Sequence, residues 1–132
     1  MLRHWRDGAG RTIRLELPFD DIMEFALALL ALSPEELFTL GWSFADRKRL
    51  LDHLLRSGTA AQKVERATLG RTPLAITLPA RDLAKLQRFA ARELPFRASN
   101  AAMLDRVAHA FGTALDLEPG TRSAGTDTAV AV

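Results

Sequence analysis

The chain passes twice from a short strand pattern directly into a helix pattern across a Leu-Pro pair. The first passage is RTIRLELPFDDIMEF at residues 11–25, and the second is RTPLAITLPARDLAKLQRF at residues 71–89. Before each Leu-Pro, alternate residues are apolar, which predicts a half-buried strand because successive side chains of a strand point to opposite faces. Proline then ends the strand because it has no N–H to donate to a neighbouring strand. A lone strand forms no sheet, so each strand requires a partner.

The apolar positions indicate that the two strands are each other's partners. These positions are Ile13, Leu15 and Leu17 in the first strand and Leu74, Ile76 and Leu78 in the second. We expect the strands to pair antiparallel and to rest these residues on helices. The opposite face of this two-stranded ribbon then lies in solvent.

Helix signals follow the first strand. Asp20 and Asp21 suit a helix first turn, where negative charge is favoured, and an apolar stripe follows at helical spacing. The stripe consists of Ile22, Phe25, Leu29 and Leu32. A capping box at residues 33–36 predicts a further helix start, Gly41 ends that short turn, and a longer helix follows to Arg56.

Comparable signals follow the second strand. An apolar stripe again recurs at helical spacing, formed by Leu83, Leu86, either Phe89 or Ala90, and Leu94. Pro95 ends this helix, and either Ser99 or Asn100 is suited to cap the next one. The final helix is predicted to reach about Leu117.

The order strand, helix, helix is therefore written twice. A shift of 61 residues lays the first strand and Asp21 on the second strand and Asp82. The Asp-Arg pair at residues 46–47 falls near the pair at residues 105–106 once two residues are removed from the first inter-helix turn. Self-similarity of this kind indicates an internal repeat.

The fold class predicted from these elements is mainly α with a short two-stranded antiparallel ribbon, arranged as a tandem strand-helix-helix pseudo-dimer. The predicted segments are a flexible arm at residues 1–10, the first copy at 11–57, a connector at 58–70, the second copy at 71–118 and a disordered tail at 119–132. The tail is assigned as disordered because it is small, polar and aperiodic.

Composition limits the classes of function. The 132 residues are 48% apolar, which is enough for one domain with a real core. The absence of cysteine excludes disulfides, a cysteine zinc site and a thiol nucleophile, and it fits a reducing cytoplasm. The longest near-apolar run, residues 22–32, is about half a membrane span and contains Glu24. We therefore expect a buried helix and no membrane partner.

Nothing in the sequence points to catalysis. The three histidines lack ligand spacing, and there is no Gly-rich phosphate loop or nucleophile motif, so we expect no enzyme, no metal and no cofactor. Charge is uneven, because residues 1–57 carry eight basic and nine acidic side chains whereas residues 58–118 carry nine and six. The second half of the chain is the better match to an anionic partner.

The run ITLPARDLAKLQRFAAREL, followed by a turn and SNAAMLDRVAHAF, resembles the ribbon-helix-helix family of Arc and MetJ type. The resemblance covers residues 72–115 well and residues 12–55 more loosely. It implies a DNA-binding protein whose two-stranded ribbon enters the major groove. Two chains usually form that ribbon, and tandem members of the family carry both copies in one polypeptide, as is implied here.

The resemblance also implies which residues contact DNA. The base-reading positions are the solvent-facing strand residues Thr12, Arg14, Glu16, Pro73, Ala75 and Thr77. Arg14 suits guanine, Glu16 suits the amino group of cytosine, and Ala75 or Thr77 suits a thymine methyl. The start of each second helix offers backbone amides to a phosphate, and the residues there are Trp42, Ser43, Ser99 and Asn100.

Two functions remain open at this point. The first is a small cytoplasmic protein of bacterial type that binds double-stranded DNA, as a transcriptional repressor or as an accessory factor in plasmid partition or conjugation. The second is a non-enzymatic protein-interaction subunit. It docks a partner or a second copy through the apolar helix at residues 22–32, by way of Ile22, Phe25 and Leu29.

Overall fold

A computed structural model describes residues 11–117, and the predicted arm at residues 1–10 and tail at residues 119–132 lie outside the described residues. The strands of the described part are β1 (Thr12–Pro18), β2 (Pro73–Pro79) and β3 (Leu115–Asp116). The helices are α1 (Phe19–Leu30), α2 (Pro34–Leu40), α3 (Phe44–Leu55), α4 (Gly58–Ala61), α5 (Arg66–Leu69), α6 (Ala80–Arg92) and α7 (Ala101–Gly112), with a 3-10 turn at Leu94–Phe96. The described chain is mainly helical, as predicted.

β1 and β2 pair antiparallel over their whole length. Thr12 lies opposite Pro79 at one end of the pair, and Pro18 lies opposite Pro73 at the other. The alternating apolar residues of both strands are buried, and the residues between them face outward. The pairing that the two alternating patterns predict is therefore present.

A third strand extends the sheet beyond the predicted two. β3 pairs antiparallel with β1, with Leu115 opposite Arg14 and Asp116 opposite Ile13, so the sheet order is β2-β1-β3. The carbonyl of Thr12 also accepts a 2.8 Å hydrogen bond from the N–H of Leu117. The prediction of a two-stranded sheet is wrong because the edge of β1 offers backbone groups that pair with the chain after α7. For the same reason the final helix ends at Gly112 and does not reach Leu117.

The chain divides into two halves, and the helix α3 or α7 of each half packs on the strand of the other half. We call residues 11–57 the N-terminal half and residues 71–117 the C-terminal half. α3 contacts β2 and α7 contacts β1, while α1 packs against β1 and α3. Aromatic side chains join the halves at the centre, where the ring centroid of Phe89 lies 5.6 Å from that of Phe25 and 6.0 Å from that of Trp42. Both halves therefore share one core.

The turn after α1 follows the sequence prediction closely. The hydroxyl of Ser33 accepts a hydrogen bond from the N–H of Glu36, and the carboxylate of Glu36 accepts one from the N–H of Ser33, which completes the capping box at the start of α2. Gly41 ends α2 with a φ of 78°, a left-handed conformation that glycine adopts at little steric cost. The predicted connector contains two short helices, α4 and α5, because its sequence has neither an internal proline nor a strand pattern.

The helices α3 and α7 can be compared from their N-caps. Ser43 is the N-cap of α3 and Asn100 is the N-cap of α7, a separation of 57 residues. Counted from these caps, Arg49 and Arg106 each lie six residues along their helices, whereas Arg47, which the sequence alignment set opposite Arg106, lies four residues along. The difference arises because α2 makes the first inter-helix segment longer than the 3-10 turn that takes its place in the C-terminal half.

Candidate nucleic-acid interface

The strand residues predicted to contact bases share one face of the sheet, directed away from the helices. Glu16, Ala75 and Thr77 are exposed, whereas Thr12 and Arg14 are half-buried. Arg14 lies opposite Thr77, and Glu16 lies opposite Ala75. Residues opposite each other on adjacent strands have neighbouring side chains, so these four form one compact group on the outer face.

Arg14 and Glu16 neutralise each other on this outer face. Nη2 of Arg14 donates a 3.0 Å hydrogen bond to the Glu16 carboxylate, and the two side chains are 43% and 55% exposed. An exposed ion pair of this kind contributes less than about 1 kcal/mol, so the pair separates at little cost. The face thus presents an arginine and a carboxylate that are available to a ligand, without a net charge of its own.

The N-terminus of α3 is capped by the protein itself. The hydroxyl of Ser43 accepts a 3.0 Å hydrogen bond from the N–H of Asp46, whose carboxylate accepts one of 2.8 Å from the N–H of Ser43. The backbone hydrogen bond from Ser43 is the largest influence on Asp46, and together with Arg49 it lowers the pKa of that carboxyl against the opposing effect of burial. A phosphate at this end would have to compete with the Asp46 carboxylate.

The N-terminus of α7 also has a carboxylate beside it. The backbone N–H and the hydroxyl of Ser99 both donate to the Glu24 side chain of α1. The side-chain oxygen of Asn100, the N-cap, accepts a 2.9 Å hydrogen bond from the N–H of Met103. Ser99 and Asn100 therefore already have hydrogen-bond partners within the protein, and the contact of Ser99 with Glu24 ties the two halves together.

Asp82, in the first turn of α6, is the centre of a buried polar cluster. Its side chain is fully buried and accepts two 3.0 Å hydrogen bonds from Arg49 of α3 and one of 2.8 Å from Nε2 of His53. Burial by itself would raise the pKa of Asp82, but the hydrogen bonds from Arg49 and His53 outweigh it and lower the pKa below its ordinary value. Arg56 donates to Nδ1 of His53 at 2.8 Å, so the cluster extends to the protein surface.

Asp21, in the first turn of α1, has a matching partner. Its buried carboxylate accepts hydrogen bonds of 2.6 and 3.0 Å from Arg106 of α7, and these bonds are the largest cause of the raised pKa of Arg106. From the sequence, Asp21 was explained by the negative charge that a helix first turn favours, and no carboxylate partner was predicted for Arg49 or Arg106, so both Asp-Arg pairs were missed. The available signal was the alignment of Asp21 with Asp82 under the 61-residue shift.

The apolar residues predicted to dock a partner are part of the core. Ile22, Phe25 and Leu29 are at most 1% exposed, because they face the sheet and α3. The apolar residues of α1 that reach solvent are Leu27, 62% exposed, and Leu30, 54% exposed. Any partner of this helix would therefore contact a different face from the predicted one.

Among residues 11–117, no helix combines the length and the apolar character required to cross a bilayer.

Neither a metal-binding cluster in the described residues nor similarity to known proteins indicates what this surface binds. In the described part of the chain, His, Asp and Glu side chains form no group of three or more that could hold a metal ion. The chain matches no protein-family model, no curated protein and no solved structure in our comparisons. The function must therefore be argued from the residues and their geometry.

Proposed function

We propose that the protein binds double-stranded DNA by inserting the β1–β2 ribbon into the major groove, as a single-chain ribbon-helix-helix pseudo-dimer. The observation that carries this proposal is the antiparallel pairing of β1 with β2, which puts Arg14, Glu16, Ala75 and Thr77 together on one outward face. A two-stranded ribbon has the width to enter the major groove with such a face towards the base edges. The role would be that of a repressor or of an accessory factor in plasmid partition or conjugation.

The crossed contacts between the halves support the pseudo-dimer part of the proposal. Asp21 pairs with Arg106, and Asp82 pairs with Arg49, so each buried aspartate is bonded by the second helix of the opposite half. The aspartates are 61 residues apart and the arginines 57 residues apart, which matches the strand and helix correspondences. Two intertwined copies of one motif would produce this pattern.

The outer face suits direct readout at a few positions. Arg14 would donate to guanine O6 and N7, Glu16 would accept from cytosine N4, and Ala75 or Thr77 would contact a thymine methyl. Pro73 offers a base edge only an apolar contact. Because Arg14 and Glu16 leave this face without net charge, the affinity for phosphates must come from cations outside it.

Fluorescence anisotropy with a random-sequence duplex tests the proposal. At about 50 mM salt the protein should bind, and affinity should fall steeply by about 200 mM salt because phosphate contacts release counterions. Arg14→Ala should reduce the preference among duplex sequences by about 1 to 3 kcal/mol at one base position. Arg92→Ala removes an equal charge from the last turn of α6, about 18 Å along the helix from the end of β2, and should leave that preference unchanged. Absence of binding at low salt would refute the proposal.

A second candidate function is protein binding through the exposed apolar face of α1. Leu27 and Leu30 lie on adjacent turns, and the guanidinium of Arg47 connects them to exposed Phe44, since it lies 5.6 Å from that ring and donates to the Leu30 carbonyl. Exposed apolar residues that form a patch are typical of interaction sites.

Sedimentation velocity tests the form of this candidate in which the occupant is a second copy. Wild type should then dimerise as its concentration rises, and the double variant Leu27→Lys, Leu30→Lys should stay monomeric. Leu55→Lys is the matched control, because Leu55 is an exposed leucine of α3. A wild type that is monomeric at every concentration would contradict self-association through α1.

A further inference from the structure

A groove of about 310 Å³ lies along the edge of β2 that faces away from β1. Its wall is formed by the end of α3 and the segment through α4, and its polar lining consists of His53, Arg56, Ser57, Thr59, Lys63 and Thr77. The groove borders the outer face of the ribbon because Ala75 and Thr77 belong to both. A molecule that lies on that face therefore passes beside the groove.

The sheet register directs two backbone N–H groups into this groove. The N–H of Phe19 bonds to the carbonyl of Thr72, and the N–H of Ala80 bonds to the carbonyl of Arg11, so the even-numbered residues of β2 are the ones bonded to β1. The N–H groups of Ala75 and Thr77 consequently point to the free edge, where they meet no acceptor among residues 11–117. Pro73 and Pro79 bound this edge and offer no N–H, which disfavours an added strand.

The charge of the groove is positive. Arg56 and Lys63 line it, and no carboxylate from residues 11–117 does. The Asp82 carboxylate that His53 contacts is fully buried and is bonded by Arg49. Nδ1 of His53 accepts a hydrogen bond from Arg56, which leaves Nε2 to donate to Asp82 and holds the imidazole against the groove wall.

The opposite edge of the sheet is built differently. The groove beside β1, about 580 Å³, is lined by the cations Arg14 and Arg106 but also by the carboxylates Glu16 and Asp105, and Leu115 of β3 covers part of the strand edge. An anion entering that groove meets both signs of charge. Of these two grooves in the described part of the chain, the β2 groove is the one that combines two basic side chains with free backbone donors.

We propose that the β2 groove binds a phosphate group of the DNA strand that runs beside the ribbon, an inference that rests on the proposed function. Lys63 and Arg56 supply the positive charge, and the N–H groups of Ala75 and Thr77 with the hydroxyl of Thr59 supply further donors. This contact provides affinity that the neutral outer face lacks. It also fixes the protein on the duplex from one side, through Arg56 at the end of the N-terminal half, Lys63 of the connector and the strand edge of the C-terminal half.

The test measures how duplex binding depends on salt in Lys63→Gln, with Arg92→Gln as the matched control. Lys63→Gln should weaken binding roughly fivefold to tenfold at about 50 mM salt, equally for all duplex sequences, and should reduce the salt slope by about 1. Arg56→Gln should act in the same direction, with its thermal unfolding measured in parallel because Arg56 also supports His53. A wild type that binds DNA, with Lys63→Gln and Arg92→Gln indistinguishable in slope, would overturn the groove proposal and leave the proposed function standing.

A second measurement separates this site from DNA binding as a whole. In two-dimensional amide NMR, inorganic phosphate should shift the resonances of Ala75 and Thr77 saturably in wild type and much less in Lys63→Gln. If wild type binds no duplex but shows these shifts, the proposed function fails and the groove is a site for free phosphate. If neither amide responds to phosphate or to duplex, the groove is not an anion site.

Discussion

Arg49 of α3 donates two hydrogen bonds of 3.0 Å to Asp82 of α6, 33 residues further along the chain. Asp82 begins the helix that directly follows β2, and α3 packs on that same strand. The contact therefore ties the strand-to-helix junction of the C-terminal half to the second helix of the N-terminal half. Arg106 and Asp21 do the same with the halves exchanged.

Loss of the Asp82 carboxylate should destabilise the fold. Asp82→Asn removes the fully buried one of the two carboxylates that Arg49 contacts, leaving Asp46, and also weakens the contact with His53, so we expect urea unfolding to show a loss of about 2 to 3 kcal/mol. Asp52→Asn is the control, because among the described residues the Asp52 side chain bonds only to exposed Lys48. This substitution should cost less than about 1 kcal/mol. Equal losses in the two variants would mean that the Arg49–Asp82 contact stabilises the fold no more than the exposed Lys48–Asp52 pair.

Stability should fall in acid through the same carboxyl. The pKa of Asp82 in the folded protein lies below its ordinary value of 3.8, so its contribution is complete above pH 3.8 and is lost as the pH falls through the lower, folded value. We expect the free energy of unfolding of wild type to decline as the pH falls below about 3.8, and that of Asp82→Asn to decline less. Parallel pH profiles for the two proteins would contradict this assignment.

Gly41 is a position where a side chain should be costly even though there is space for it. Its φ of 78° is strained for any residue with a Cβ, although no atom lies within 4 Å of the Cβ position. Gly41→Ala should therefore cost about 1 kcal/mol through backbone strain alone. Gly58→Ala, in a helix and with equally open space, should be neutral or slightly stabilising in the same thermal unfolding assay. The reverse order would contradict the αL assignment of the α2–α3 turn.

The sequence was sufficient for the strands, their pairing and their outward residues, because alternation and a terminating proline are local signals. It was also sufficient for the Ser33 capping box and the turn at Gly41, whose chemistry lies within a few residues. β3 was not predicted, because two residues carry no periodicity and Leu115 fell within the predicted final helix, which was expected to reach about Leu117. In the folded chain Leu115 and Asp116 instead pair with the edge of β1, which exists only once the sheet has formed.

The candidate site was predictable only in part. Thr12, Arg14, Glu16, Ala75 and Thr77 lie together as expected, because strand parity alone decides their face. The cationic groove was not foreseen, since Arg56 and Lys63 come from the end of one helix and a connector that contact β2 only in the folded chain. The burial of Asp21 and Asp82 was likewise hidden, because an acidic residue in a helix first turn has the same pattern whether it is exposed or paired.

The central claim is that the outer face of the β1–β2 ribbon contacts DNA. Amide NMR of the isotope-labelled protein, titrated with a random-sequence duplex at about 50 mM salt, tests it most directly. The largest resonance shifts should occur at Thr12, Arg14, Glu16, Ala75 and Thr77, while Leu27 and Leu30 on α1 should stay unchanged. Shifts confined to α1, or no shifts at all, would contradict it.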